Sequence, residues 1–510
     1  MRFSAPVRTS PLLLPALLLA ACSAAGEGTS PGVAAFDASA GTDASAGDAV
    51  SPGDAGGTPS DPDASTPTSL DGSQDASSEG GRACGAGDPN LPPEPTIPPA
   101  CVTLTATQSV SPGALPSESA LDTHALQSAL DACASGNAVR LVASGARNAF
   151  LTGPLTLPAG VTLWVDAGVT LYGTRDPGIY GSARALIVAS GANSGVVGDG
   201  TIDGQGGEPR IGADASAWEA NGAGGENPAL IATAGATNFV LYRITLHDPP
   251  MFHVKLDAQG FIVWGVTILT PSKATNSAGT PLTPSAAHNT DGIDPGEAAQ
   301  DGYIVCSRIS DGDDHIAIKG SIGVKHLVIA HDRFGAGHGM SIGSEVNGGV
   351  SDVHVYDLAI DGTDSGLKGG SSNGIRIKSD PGRGGPVTDV LYEDVCVREI
   401  ANPILITPHY STATGSLIPS FQRITVRDFH ALAGSLAPAV TIDGYDFAHP
   451  TGITLDNVAV DGLAAAKVSA AYADVTLGPG AVNFAPSGTG VTVAIVDGGG
   501  AAPNPCANKW

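Results

Sequence analysis

The feature that most constrains this chain is a repeat of short apolar strands. Phe239–Leu246 reads Phe-Val-Leu-Tyr-Arg-Ile-Thr-Leu, and Phe261–Ile268 reads Phe-Ile-Val-Trp-Gly-Val-Thr-Ile, so the offset from Phe239 to Phe261 sets a candidate coil period. Related runs recur at Tyr303–Val305, Leu327–Ile329, Val353–Val355, Val390–Tyr392, Ile424–Val426 and Ile453–Leu455, each meeting a polar cluster of Asp, Asn or Gly. A unit of this size cannot bury its apolar face alone and must stack on copies of itself. Uneven spacing means loops of different length inserted into one common coil. The expected fold is all-β: a single-stranded right-handed parallel β-helix, a solenoid. A β-sandwich would instead carry tight hairpin turns between adjacent strands. One short amphipathic helix is expected near the start, at Leu121–Cys133, where Leu126, Leu130 and Cys133 fall at helical spacing behind Asp122 and Thr123. The 69 glycines agree with a turn-rich β architecture.

The first residues read as an export signal. Arg2 and Arg8 make a positive start, and Leu12–Leu19 form an apolar run too short to span a bilayer. The run ends in Leu19-Ala20-Ala21-Cys22, a pattern similar to a bacterial lipobox. Residues 1–22 are therefore expected to be a signal peptide, with Cys22 the lipidated residue, and Ser23 matches sorting to the outer membrane. Residues 23–95 are largely Ala, Gly, Ser, Asp and Pro, too poor in large apolar side chains to offset their ordering entropy. They are expected to be a disordered linker, with the folded domain at 96–510. Cys84, Cys101, Cys133, Cys306, Cys396 and Cys506 form an even set in an exported chain, which predicts disulfides but leaves their pairing open. No C-x-x-C pair exists, which argues against a zinc or thiol redox site. The formal net charge of −26 makes nucleic acid an unsuitable partner. It also repels a polyanion at long range, so a site for one needs its own local cations.

The densest polar signal lies between Asn289 and Lys378. Asn289-Thr-Asp291-Gly, Gly312-Asp313-Asp314, Gly337-His338-Gly and Arg376-Ile-Lys378 follow one another. The step from Asp291 to Asp313 equals the coil period, and the step from Asp313 to His338 is only slightly longer. One period returns the chain to the same face one strand over, about 4.8 Å away. Asp291, Asp313, Asp314 and His338 are thus expected to stack on one face, with a Gly-rich loop at 366–374 absorbing the longer step to Arg376. Stacked carboxylates raise each other's pKa. A fold tolerates them where one group must hold a proton while another stays ionised. Inverting glycoside hydrolysis needs that division, with the two carboxyls about 6.5–9.5 Å apart.

In these four motifs, in this order, the chain resembles glycoside hydrolase family 28, the polygalacturonases. Gly198–Gly206 (GDGTIDGQG) is similar to the family's early coil signature. Asn289–Pro295, Gly339–Glu345 and Arg376–Asp380 resemble its bacterial members in particular, and the resemblance spans roughly 96–510. It implies inverting, endo-type hydrolysis of the α-1,4 bonds of polygalacturonic acid. It further implies that Asp313 is the general acid, that Asp291 and Asp314 hold and activate water, and that His338 supports the acid's protonation. Arg376 and Lys378 would bind the substrate carboxylate, since two cations two apart on a strand point to one side. Tyr410, one long coil past Lys378, and Asn289 complete the substrate-binding set that the resemblance implies. No cofactor and no metal are expected. The partners are the polysaccharide and, through the lipid, the outer membrane, and the protein is expected to act as a monomer at the cell surface or outside the cell.

His253, His288, His315, His331, His354 and His409 read as structural or surface histidines. Lys319 reads as a solvated lysine, Trp264 as core or cleft wall, and Asp294 as a turn cap. Exo action, or another pectin backbone, is the alternative within the family. A calcium-dependent polysaccharide lyase on the same fold would leave the ordered motifs unexplained. A tethered adhesin would have no need of three carboxylates, a histidine and two cations at these spacings.

Overall fold

The structure is a computed structural model describing residues 84–221, 227–363, 372–497, 504–506 and 509–510. The expected signal peptide with Cys22, the linker up to residue 83 and most of the loop at 366–374 lie outside the described residues.

The chain coils as a parallel β-helix. Among the described residues, 21 strands form one sheet and 11 a second. All eight apolar runs read in the sequence stand side by side in the larger sheet, with Phe239, Phe261, Gly302, Leu327, Val353, Val390, Ile424 and Ile453 in one ladder of parallel pairs. Gly302 interrupts the apolar column because Phe261 occupies its space: a Cβ there would come 2.1 Å from the Phe261 ring. One position ahead of this ladder, Asn238, Gly260, Asp301, His326, Asp352, Asp389 and Arg423 all hold φ between +53° and +67°. The polar clusters seen in the sequence mark this corner, where glycine or a short polar side chain tolerates the left-handed region best.

The smaller sheet positions the site. Seven of its consecutive strands are β1 (Val254–Leu256), β2 (Ile293–Pro295), β3 (Ile316–Ile318), β4 (Met340–Ile342), β5 (Asn373–Lys378), β6 (Asn402–Thr407) and β7 (Val440–Asp443). Val254, Ile293, Ile316, Met340, Ile375, Ile404 and Val440 form a single buried column through them. Each such side chain contributes about 1.5–3 kcal/mol by leaving water. Alternation then turns the next residue of each strand outward.

The helix runs Thr123–Ala132 and buries Leu126 and Leu130, closing the first coils as their spacing implied. The folded part begins earlier than composition suggests. Residues 84–95, assigned above to the linker, are tied down: Cys84 is bonded to Cys306, the Tyr356 hydroxyl donates to Asp88 (2.8 Å), and the Tyr242 hydroxyl donates to Glu94 (2.7 Å). Leu91 and Ile97 pack on an outer cluster that includes Trp264, Tyr242 and Val305, so Trp264 lies beneath this strap. Composition misses it because one disulfide, a few polar contacts and a single large apolar side chain, Leu91, hold residues 84–95. The remaining disulfides are Cys101–Cys133 and Cys396–Cys506.

Candidate active site

The carboxylates enter the site just before β2 and β3. Ile293 pairs with Ile316 and Ile316 with Met340. Asp291, Asp314 and His338 therefore stand level, each two residues ahead of the buried column. The sequence spacing puts Asp313 beside Asp291; the true register slides it one place back. Gly292 N donates to the Asp314 carbonyl (2.9 Å) and His338 N to that of Asp313 (2.6 Å), which stitches these turns together. Gly339, φ +93°, follows His338 because a Cβ there would lie 2.4 Å from both the Asn373 and Gly374 carbonyls.

Three ionic groups result. Asp314 is paired with Arg376 and lies 3.1 Å from Lys378 Nζ. Ser341, facing outward on β4, donates to Asp314 Oδ1 (2.9 Å) and accepts from Arg376 Nε (3.0 Å). Asp313 Oδ1 accepts from the Asp314 amide (2.9 Å) and lies 3.1 Å from His338 Nδ1. Lys319 Nζ bridges Asp291 (3.0 Å) and Asp294 (3.1 Å). Lys319 is no solvated lysine, because it neutralises two buried carboxylates. Asp294 caps no turn: it is a strand residue of β2, held by that lysine. Tyr410 lies against Lys378, whose Nζ is 4.5 Å from the ring centroid and 3.4 Å from the hydroxyl. Asn289, half-buried at φ +56°, turns the chain two residues ahead of Asp291.

The surroundings push these groups apart. Burial alone raises the Asp313 carboxyl, but His338 in contact, and then Lys378 and Arg376, outweigh it and hold it well below the usual carboxylate range. Asp314 is lowered against its burial by Arg376 and Lys378. Asp291 goes the other way: burial, with Asp294, Asp313 and Asp314 nearby, raises it well above the ordinary value despite Lys319. Asp294 is pushed up to about 6, chiefly by burial. Burial lowers the His338 imidazole, yet Asp313 more than offsets this and raises it. Beneath the site, His315 is fully buried, stacks on Phe334 at 4.7 Å and accepts from Gly339 N (3.0 Å), which supports the turn carrying His338. Its ring is pushed down to about 4 by burial and stays neutral.

Ser341 and Lys319 are the residues that sequence reasoning misses. The outward position of Ser341 in Met-Ser-Ile is the available signal; the partners of Lys319 have none, since they lie 25 and 28 residues away. Among the described residues, Asp313, Asp314 and His338 have donor atoms within 4.8 Å of one another and are the one group with metal-ligand character. Their donors already face two cations and each other, an arrangement suited to moving protons.

A β-helix with such a cluster on one sheet face defines a carboxylate-dependent glycoside hydrolase. The chain belongs to glycosyl hydrolases family 28, whose profile matches residues 133–478. It is 41% identical over 430 residues to a polygalacturonase of Ralstonia nicotianae, covering 74% of this chain and 80% of that protein. It is 36% identical over 398 residues to an endo-polygalacturonase of Pectobacterium parmentieri, covering 73% and 90%. The solved polygalacturonase from Erwinia carotovora ssp. carotovora superposes with a TM-score of 0.64 at 33% identity, covering 79% of this chain and all of that one.

Proposed function

We infer that the protein is an endo-acting polygalacturonase that hydrolyses α-1,4-galacturonosidic bonds of pectate with inversion. The observation that carries this reading is the meeting of Asp291, Asp313, Asp314 and His338 with Arg376 and Lys378 across β2 to β5. Asp313 protonates the leaving glycosidic oxygen. Water held between Asp291 and Asp314 attacks the anomeric carbon from the opposite face and gives up its proton to a carboxylate. Burial makes Asp291 the more basic of the two. Asp313 needs a proton at the moment of cleavage, and His338, 3.1 Å away, holds one. A galacturonate carboxylate beside Arg376 and Lys378 would weaken the pull of those cations on Asp313 and return that proton to it. Tyr410 and Asn289 complete the walls around the sugar.

The protein acts outside the cell as a monomer, tethered to the outer membrane through Cys22. The apolar run ending in Leu-Ala-Ala-Cys and the three disulfides support export and anchoring. Replacing Cys22→Ala should release the enzyme from the membrane fraction; retention there would remove the anchor.

The deciding experiment is product analysis on polygalacturonate with chelator present. Wild type should release saturated oligogalacturonides of mixed length, and Asp313→Asn should lose about 10²–10⁴-fold in kcat. Unsaturated products would mean a lyase, and monomer alone would mean exo action.

A further inference from the structure

Past Lys378 the outer face of the smaller sheet changes character. Ile377 pairs with Ile406 and Ile406 with Ile442, so β6 and β7 carry the same face onward for two strand spacings, about 10 Å. Outward side chains there are Leu405, Thr407, Thr441 and Asp443, with no Arg or Lys among them. The loops that follow β6 and β7 supply aromatic rings instead. His409 lies over Tyr445 with centroids 5.2 Å apart, and Phe447 stands 74% exposed with its edge on Tyr472 at 4.9 Å. The loop is rigid: Tyr445 N donates to the His449 carbonyl (3.0 Å), and Asp446 Oδ1 accepts from the amides of Ala448 (2.8 Å) and His449 (2.9 Å). One exposed phenylalanine requires no explanation. Ring pairs on the loops that follow β6 and β7, the strands next after the one carrying Lys378, do, because preorganised aromatic faces bind flat apolar surfaces at little entropic cost.

We propose that this aromatic-lined extension is a further sugar-binding subsite, gripping the polymer beyond the cleavage point by pyranose faces and hydroxyls. The faces of a sugar ring carry C–H groups that pack on aromatic rings, and its edges carry hydroxyls that Thr407, Thr441 and Asp443 can meet. With Asp443 on the floor and no Arg or Lys on these strands, this subsite does not read the carboxylate, in contrast to the Arg376–Lys378 pair. The inference rests on the polygalacturonase reading and names where that polymer continues.

The test is kcat/KM on galacturonate oligomers of increasing length, trimer to octamer, for wild type and Phe447→Ala, with Tyr445→Ala as a second variant. Phe447 is mostly exposed, so its removal does not threaten folding. Wild type should improve with chain length. The Phe447→Ala deficit should be under two-fold on the trimer and grow to about ten-fold on the longest oligomers, carried by KM more than by kcat. A deficit equal at all lengths would assign these rings a structural role and overturn the subsite, as would no deficit at any length. Failure of wild type to cut any oligomer would instead defeat the polygalacturonase reading itself.

Discussion

Lys319 sets the chemistry of two carboxylates at once. It is the cation in contact with both Asp291 and Asp294; the carboxylates are buried and the lysine is half-buried. Removing one partner of a buried ion pair leaves uncompensated charge, which costs about 3 kcal/mol. Lys319→Met should therefore lower stability by that order in denaturant titration. It should also raise the Asp291 pKa further, so that activity on the acid side is lost at higher pH than in wild type. The ordinary pH profile follows from the same groups. In the proposed mechanism Asp291 is ionised, and its raised pKa means activity falls as pH drops through that value. In the same mechanism His338 carries a proton, which is lost as pH rises through its raised pKa. The profile of kcat/KM should be a bell, and His338→Gln should abolish its alkaline limb while lowering kcat about 10²-fold. An unchanged limb would mean that another group holds the proton.

At the scale of elements, the N-terminal strap adds charged contacts to its disulfide and to the packing of Leu91. His331 Nε2 is 3.0 Å from Asp88 of the strap, and its Nδ1 is 2.5 Å from Asp357. Asp357 also meets Arg333 and Lys509, so the strap and the C-terminal residues converge on one histidine–carboxylate pair. The His331 pKa is raised, first by the hydrogen bond to Asp357. Its contribution is full below the ordinary histidine pKa, near 6.5, and disappears as pH rises through the raised value. Asp88 is lowered against its burial by the Asn90 amide, then by the Tyr356 hydroxyl and His331, and Asp357 by His331, Arg333 and Lys509, so their contributions are present above the ordinary carboxylate pKa and are lost as pH falls through the lowered values. His331→Ala should thus lower the melting temperature at pH 5 by more than at pH 9. Equal losses at both would show that the imidazole acts by packing alone. The strap is illegible in the sequence because its anchors, Cys306, His331 and Tyr356, lie 222, 243 and 268 residues from the strap residues they hold.

For the whole molecule, the charge of −26 opposes a polyanionic substrate at long range, while the proposed binding pair Arg376 and Lys378 would attract it only at close quarters. Salt screens the long-range part first, since the Debye length falls to about 10 Å at 0.1 M. KM for polygalacturonate should therefore fall as ionic strength rises from about 0.01 to 0.1 M. A steady rise instead would mean that local cations steer association. The solenoid also explains how much could be read in advance. Apolar alternation is a local property, so all eight strands were legible as strands, and stacking in chain order followed from their repeat. Register was not, because it sums over loops of unequal length: the step from Ile293 to its partner Ile316 is one place longer than the step from Phe239 to its partner Phe261.

By itself, then, the sequence determined the β-helix, the four motifs and the residue types that meet on one face, since each depends on patterns within a coil. Only the tertiary structure decided which charges touch. Lys319 serves Asp291 rather than solvent, Arg376 and Lys378 converge on Asp314, and Asp313 rather than Asp314 faces His338. The disulfide pairing and the docking of residues 84–95 were decided there too. The physical reason is the same for each: partners one coil or many coils apart are set by register and loop length, which no local pattern encodes.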